Sequence, residues 1–273
     1  KDLEINMPKS ELITAFEKCK KEGRPSLLTY QVAGDPNKKK SFEILKSISK
    51  HATACEWGLS HSANIGDGKY IQDATFRVIR NKFKIKDAFG IIKKYKRDKQ
   101  SKPIILMFYY NTLFQYGENR FIKKMKEIKA TGCICVDYPY PQNKSFALKC
   151  KKNNITFIQL LSPNIETSLA KKIISNSHKI IYFISQLSTT GSKLKVSPKR
   201  ILKNYNRIKR MARGKFIILG FGITEKTIAK FKKSDSIVVG SACCKAIANA
   251  IKKNHSPAIM LSKMIKRLKK KIL

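Results

Sequence analysis

Short apolar runs alternate along this chain with stretches of helical periodicity, and the alternation predicts eight strands separated by helices. The runs are Pro25 to Val32, Thr53 to Trp57, Pro103 to Tyr109, Cys133 to Val136, Thr156 to Leu160, Ile180 to Ile184, Phe216 to Leu219 and Ser236 to Val239. The third is apolar throughout, as a strand covered on both faces should be. Ala-Gly-Asp-Pro closes the first, with Gly34 and Pro36 as the stop. Between runs, apolar residues return at helical spacing: Phe42, Leu45 and Ile48, then Phe121, Met125 and Ile128, then Leu169, Ile173 and Ile174. Such alternation argues for a parallel sheet, and eight units argue for closure into an α/β (β/α)8 TIM barrel. An open doubly wound sheet is the alternative. It usually carries a glycine fingerprint after its first strand, where this chain has only Gly34.

Two further helices frame the barrel. Residues 10 to 21 place Leu12, Phe16 and Cys19 on one face behind Ser10 as N-cap, which makes an extra N-terminal helix. Residues 257 to 273 align Leu261, Ile265, Leu268 and Ile272 opposite a run of Lys and Arg. That stripe suits a last barrel helix packed on the core; a helix lying on a membrane surface is the alternative.

With 273 residues and 42% apolar content, a single barrel domain over residues 1–273 is expected. A net charge of +40 would ordinarily point to nucleic acid or an anionic membrane. Yet Lys supplies most of the basic residues and Arg only 10, and the lysines are spread over nearly every polar helix face. Specific base and phosphate recognition favours Arg forks, so no nucleic-acid partner is expected. The seven cysteines lack metal-ligand spacing and the four histidines are isolated, so no metal site is expected and the thiols read as reduced core residues. No apolar run is long enough to span a bilayer, and the start lacks a signal peptide's apolar stretch, so the expected location is cytoplasmic.

Candidate chemistry gathers at the carboxyl ends of the strands, where barrels carry their active groups. Gly191, Gly220, Gly222 and Gly240 sit just past apolar runs, where the backbone can approach a phosphate. Glu56 lies inside an apolar run, where burial should raise its pKa toward that of a general acid/base; pairing with a lysine is the structural alternative. Asp67 follows in a loop with glycine on either side, and Asp137 ends the fourth run; for both, a turn role is the alternative. Tyr30, Tyr109, Tyr110, Tyr182, Val136, Leu160 and Phe221 stand near strand ends and suggest a flat apolar pocket, although each alone reads as core.

The ordered motifs resemble those of the tryptophan synthase alpha subunit family over roughly residues 8 to 255. Ala-Gly-Asp-Pro at 33 to 36, Cys-Glu-Trp-Gly at 55 to 58 and Gly-Asp-Gly-Lys-Tyr-Ile-Gln at 66 to 72 are similar to its early motifs. Met-Phe-Tyr-Tyr-Asn at 107 to 111, Val-Asp-Tyr-Pro at 136 to 139, Ser-Pro-Asn at 162 to 164, Tyr-Phe-Ile-Ser at 182 to 185, Thr-Thr-Gly at 189 to 191, Gly-Phe-Gly-Ile at 220 to 223 and Gly-Ser-Ala at 240 to 242 follow in order. The resemblance implies a lyase of tryptophan biosynthesis that cleaves indole-3-glycerol phosphate to indole and glyceraldehyde 3-phosphate by a retro-aldol reaction. It implies catalytic roles for Glu56, Asp67 and Tyr182. Gly191, Gly220, Gly222, Gly240 and Ser241 are implied to hold the phosphate, and Tyr30, Met107, Tyr109, Val136, Leu160, Thr190 and Phe221 to line the indole pocket. It also implies an alpha2beta2 heterotetramer with a beta subunit, in which pyridoxal phosphate belongs to the beta subunit and this chain needs no cofactor.

The chain departs from the family's pattern between the two carboxylates. Ala63 and Asn64 stand where the family has Asp-Pro, a pair that touches the beta subunit, and Gln186, Leu187 and Ser188 replace its usual lid sequence. Those departures imply weak allosteric coupling, and they motivate an alternative in which a catalytically weakened subunit mainly binds and activates its partner. A different phosphate-binding barrel, such as a sugar-phosphate isomerase, fits the spacing of Glu56 and Asp67 less well.

Overall fold

A computed structural model describes residues 10–185, 196–220 and 222–273. In chain order the elements are α1 (Glu11–Lys21), β1 (Ser26–Val32), α2 (Lys38–Ser49), β2 (Ala54–Gly58), α3 (Lys69–Arg80), α4 (Ile85–Tyr95), β3 (Ile104–Phe108), α5 (Tyr110–Tyr116), α6 (Glu118–Glu127) and β4 (Gly132–Cys135). There follow α7 (Lys144–Lys152), β5 (Thr156–Phe157), β6 (Gln159–Leu161), α8 (Thr167–Asn176), β7 (Ile180–Ile184), α9 (Pro198–Met211), β8 (Phe216–Gly220), β9 (Ser236–Val239), α10 (Ser241–Lys252) and α11 (Pro257–Lys270), with a 3₁₀ turn at Ile228–Phe231 before β9.

The strand pairings are parallel, in the order β5-β4-β3-β2-β1-β9-β8-β7-β6. The two ends of this order, β5 and β6, are separated only by Ile158. One interrupted strand therefore pairs with β4 through Thr156 and with β7 through Gln159, and the chain itself closes the ring. The run expected from Thr156 to Leu160 is thus two short ladders, and the eight predicted runs become a (β/α)8 barrel. The other strands fall within a residue or so of their expected bounds.

Residues alternate between two faces along a strand, and each barrel strand buries both. Outward residues pack under the helices, while Leu28, Ala54, Ile105, Ile134, Ile158, Ile180, Phe216, Ile218 and Val238 fill the interior. Leu12 and Phe16 of α1 join that interior cluster and stop the amino-terminal mouth. Phe16 meets Phe216 edge-on with ring centroids 5.5 Å apart, and Leu12 occupies the space a side chain on Gly132 would need. Ser10 caps the helix as expected, its Oγ accepting from the Ile13 N–H at 3.3 Å. Truncating Phe16 to alanine should cost about 3–5 kcal/mol, since a fully buried ring leaves a cavity behind.

α11 settles the ambiguity of the last stripe. Leu261, Ile265, Leu268 and Ile272 are at most 3% exposed and pack into the outer core, so that stripe belongs to a barrel helix. Among the described residues no helix is long and apolar enough to cross a membrane. All seven cysteines are free and buried. The connection from β2 to β3 holds two helices, α3 and α4, where periodicity had flagged none; α3 carries part of the site.

Candidate active site

Within β2, the two-residue period puts Ala54, Glu56 and Gly58 on one face. Ala54 lies in the barrel interior, so Glu56 is carried inward. It is 2% exposed, and its Oε1 finds no hydrogen-bond partner among the described residues. The expected alternative, a lysine partner, is therefore not what holds it. Burial pushes its pKa from 4.5 up to about 8, because ionisation there would strand a charge away from water.

Asp67 reaches the same cavity from the loop between β2 and α3. A turn with the Asp67 N–H donating to the Asn64 carbonyl at 3.1 Å brings it back over the barrel. Its Oδ2 accepts from Asn64 Nδ2 at 3.2 Å and from the Tyr109 hydroxyl at 3.4 Å. Burial raises its pKa to about 6, against the downward pull of those two donors. Near neutral pH, then, Glu56 is protonated and Asp67 ionised. One cavity holds a carboxylic acid and a carboxylate.

α3, which begins just after Asp67, is anchored by a bidentate ion pair. Arg77 gives Nε to Asp35 Oδ1 at 2.7 Å and Nη2 to Oδ2 at 2.9 Å, tying the helix to the turn after β1. Ile71 from its first turn faces the cavity. Neither Ile71 nor Thr75 was anticipated as part of the site, though both lie on the buried i, i+4 stripe of α3 with Ala74 and Val78.

Two tyrosines wall the cavity by the same device. Tyr30 of β1 lies over Gly58, where a Cβ would sit 2.3 Å from its hydroxyl; Tyr182 of β7 lies over Gly220, where a Cβ would sit 1.9 Å from its hydroxyl. In each case the glycine stands two residues past the tyrosine's partner on the next strand. Burial, with the nearby carboxylates, holds both phenols well above their ordinary pKa, so they remain neutral. The lack of a side chain at Gly220 thus makes room for Tyr182, and Gly220 does not border the cavity.

The cavity is completed by Met107, Gly222, Ile223, Val238, Gly240 and Ser241. Gly222 has φ +68°, in the left-handed region that favours glycine. Gly240 and Ser241 form the start of α10, where amide N–H groups without helical partners and the positive end of the helix dipole meet. An adjoining hollow shares Tyr30, Asp67 and Met107 with this cavity and adds Tyr109, Val136, His61, Asn64 and Thr75. Leu160 packs in the barrel interior beneath. Asp137 serves the start of α5, its Oδ1 accepting from the Tyr110 N–H at 2.6 Å. The expectations placed on Thr190, Gly191, Phe221 and the segment Gln186 to Ser188 lie outside the described residues.

Comparison with known proteins adds the family and the fold neighbours. The model of the family described as Tryptophan synthase alpha chain matches residues 16–272. A tryptophan synthase alpha chain of Pelagibacter ubique is 55% identical over 258 residues, covering 94% of this chain and 97% of that one. That of Pyrococcus furiosus is 32% identical over 246 residues, covering 89% and 97%. Among solved structures, the tryptophan synthase a2b2 complex from Pyrococcus furiosus contains a chain with TM-score 0.81 and 30% identity, covering 89% of this chain and 97% of that chain. The alpha chain from Legionella pneumophila superposes with TM-score 0.88 at 22% identity, covering 97% and 98%, a likeness of fold.

Proposed function

This chain belongs to the tryptophan synthase alpha chain family, a family of lyases, and on that premise we propose that it cleaves indole-3-glycerol phosphate to indole and glyceraldehyde 3-phosphate. The observation that carries the mechanism is two carboxyl groups at one cavity in unlike settings, Glu56 with a buried oxygen that has no hydrogen-bond partner among the described residues and Asp67 held by two donors. Glu56, protonated near neutrality, gives its proton to the indole ring carbon that bears the glycerol phosphate side chain. Positive charge then develops on the ring nitrogen, and ionised Asp67 accepts a hydrogen bond from the ring N–H to stabilise it. The Glu56 carboxylate takes the proton of the side-chain hydroxyl on the carbon next to the ring. As that C–O becomes an aldehyde, the carbon–carbon bond breaks and its electron pair restores the aromatic ring. The carboxylic acid is regenerated, so the cycle balances.

Tyr30, Met107, Tyr109 and Val136 offer a flat apolar enclosure for the ring, and Tyr182 packs beside Glu56. The amides of Gly222, Gly240 and Ser241, with the Ser241 hydroxyl, face the phosphate at the start of α10. The partner is a tryptophan synthase beta subunit in an alpha2beta2 assembly, and pyridoxal phosphate belongs to that subunit; no step here uses it. Ile65 and Phe114, 82% and 66% exposed on the segments after β2 and β3, give the rim near the site the apolar surface that a docked subunit would cover. The weakened, mainly activating subunit is not favoured, since both carboxyl groups stand at the cavity.

Purified protein supplied with indole-3-glycerol phosphate should release indole, and the rate should rise when the beta subunit is added. No indole under either condition overturns the reading.

A further inference from the structure

We infer that Asn64 is a positioning residue for Asp67, holding that carboxylate aimed and ionised by a hydrogen bond internal to the loop. The inference rests on the catalytic reading above and deepens it. Asn64 is 8% exposed, in a loop otherwise largely open to solvent. Its Nδ2 reaches two acceptors, Asp67 Oδ2 at 3.2 Å and Thr75 Oγ1 at 3.4 Å. Because the Asp67 N–H also donates to the Asn64 carbonyl at 3.1 Å, backbone and side chain clamp the same pair of residues. Thr75 adds a third point, on the buried face of α3.

At this place the family motif has proline, which offers neither an N–H nor a polar side chain. The substitution thus supplies a donor where the family pattern has none. A second contact acts on the same group: His61 stacks on Tyr109 with ring centroids 5.1 Å apart and planes 26° apart, steadying the other donor to Oδ2. The ionisable groups around Asp67 are Tyr30 from β1, Glu56 from β2, His61 from its own loop, Tyr109 after β3 and Cys244 from α10. Among the described residues no Lys or Arg lines the cavity or the adjoining hollow. Without such a partner, hydrogen-bond donors weigh heavily in how much carboxylate survives at a given pH.

The experiment is the pH dependence of kcat/KM for indole-3-glycerol phosphate cleavage by the full chain and by Asn64→Ala, Asn64→Asp and Asn64→Gln. Losing the donor should move the acid limb up by about one pH unit in Asn64→Ala, lowering kcat/KM roughly fivefold to tenfold between pH 5 and 6 and hardly at all at pH 8. Asn64→Asp is nearly isosteric and replaces the donor by a second acid, so its limb should move further. Asn64→Gln keeps an amide and should restore part of the shift. Should Asn64→Ala fold poorly, the Asp variant still decides the matter. Wild-type protein without cleavage defeats the proposed function itself. Cleavage with an acid limb that stays put in the Ala and Asp variants, or activity lowered equally at every pH, overturns the role of Asn64 and leaves the lyase reading standing.

Discussion

The two ends of the barrel each contain a hollow, and they differ in every respect that matters. At the amino end, where the chain enters β5, β7 and β8, a groove of about 840 Å³ is lined by Lys144, Lys151, Lys179, Arg213 and Lys215. At the carboxyl end the cavity holding Glu56 and Asp67 measures about 40 Å³. Volume alone would select the amino end. In the large groove two of the more buried polar side chains, His178 and Lys215, are spoken for: His178 Nδ1 accepts from the Phe157 N–H at 3.0 Å, and its Nε2 donates to the Ala147 carbonyl at 3.0 Å. Lys215 Nζ donates to the Ile174 and Ser177 carbonyls at 2.6 Å each and to Ser177 Oγ at 2.9 Å. In the small cavity Glu56 keeps a buried oxygen without a hydrogen-bond partner among the described residues. A satisfied polar group holds a fold together, whereas an unsatisfied acid at the catalytic end of a barrel is available for chemistry.

The sharpest way to break this contrast is Glu56→Gln. Loss of the transferable proton should lower kcat/KM by about 10³, within the range that general acid–base groups supply. Stability should move the other way. The Glu56 carboxyl ionises near 4.5 when unfolded and near 8 when folded, so the native state binds more protons between those values, and wild-type stability falls as pH rises through that window. Glutamine lacks this slope. Thermal melts of the variant should therefore exceed wild type at pH 8 by several degrees, on the order of what a few kcal/mol gives a chain of this size, and coincide with it at pH 4. A variant no more stable at pH 8 would mean that Glu56 is satisfied after all.

Asp67→Asn should cost less, about 10² in kcat/KM, because it removes charge stabilisation and leaves the proton donor in place. Wild-type activity should follow a bell: it needs Asp67 ionised, above about 6, and Glu56 protonated, below about 8. Asp67→Asn should retain the alkaline limb alone. A bell that persists unchanged in the variant would assign the acid limb to another group.

Much of this was legible beforehand, and the reason is periodicity. Eight apolar runs alternating with amphipathic stretches are a direct record of strands buried on both faces; among the strands the break at Ile158 escaped, because hydrophobicity does not report which neighbour a strand pairs with, and α3 and α4 were not flagged. Glu56 announced itself as a carboxylate inside an apolar run. Asp67 did not: its loop has no period, and the ordered motifs singled it out more clearly than its spacing did. Two kinds of detail stayed hidden. Gly220 read as an anion contact, and what only register adds is that its missing side chain also admits a tyrosine from the neighbouring strand. Arg77 carried no signal of its own, since its partner, Asp35, lies 42 residues away.

The smallest predicted effect lies at the amino end and tests whether that end is purely structural. His178→Gln removes a ring that bridges the start of β5 to α7, and should cost about 1–3 kcal/mol through the two altered hydrogen bonds while leaving kcat/KM within about twofold. Its pH signature is opposite to that of Glu56. Burial, aided by the nearby charges of Lys151 and Lys215, lowers the His178 pKa from 6.5 to about 4, so the unfolded chain binds more protons in between. Wild-type stability contributed by neutral His178 is therefore present above 6.5 and lost as pH falls toward 4, where protonation of Nδ1 destroys the acceptor for Phe157. Glutamine at this position has no proton to gain, so melting curves of the variant should flatten on the acid side alone, just as those of Glu56→Gln flatten on the alkaline side alone. If His178→Gln instead changed the pH profile of cleavage, the division between a structural end and a catalytic end would fail, because a group with both ring nitrogens engaged by backbone would be shown to reach the reaction from the far side of the barrel.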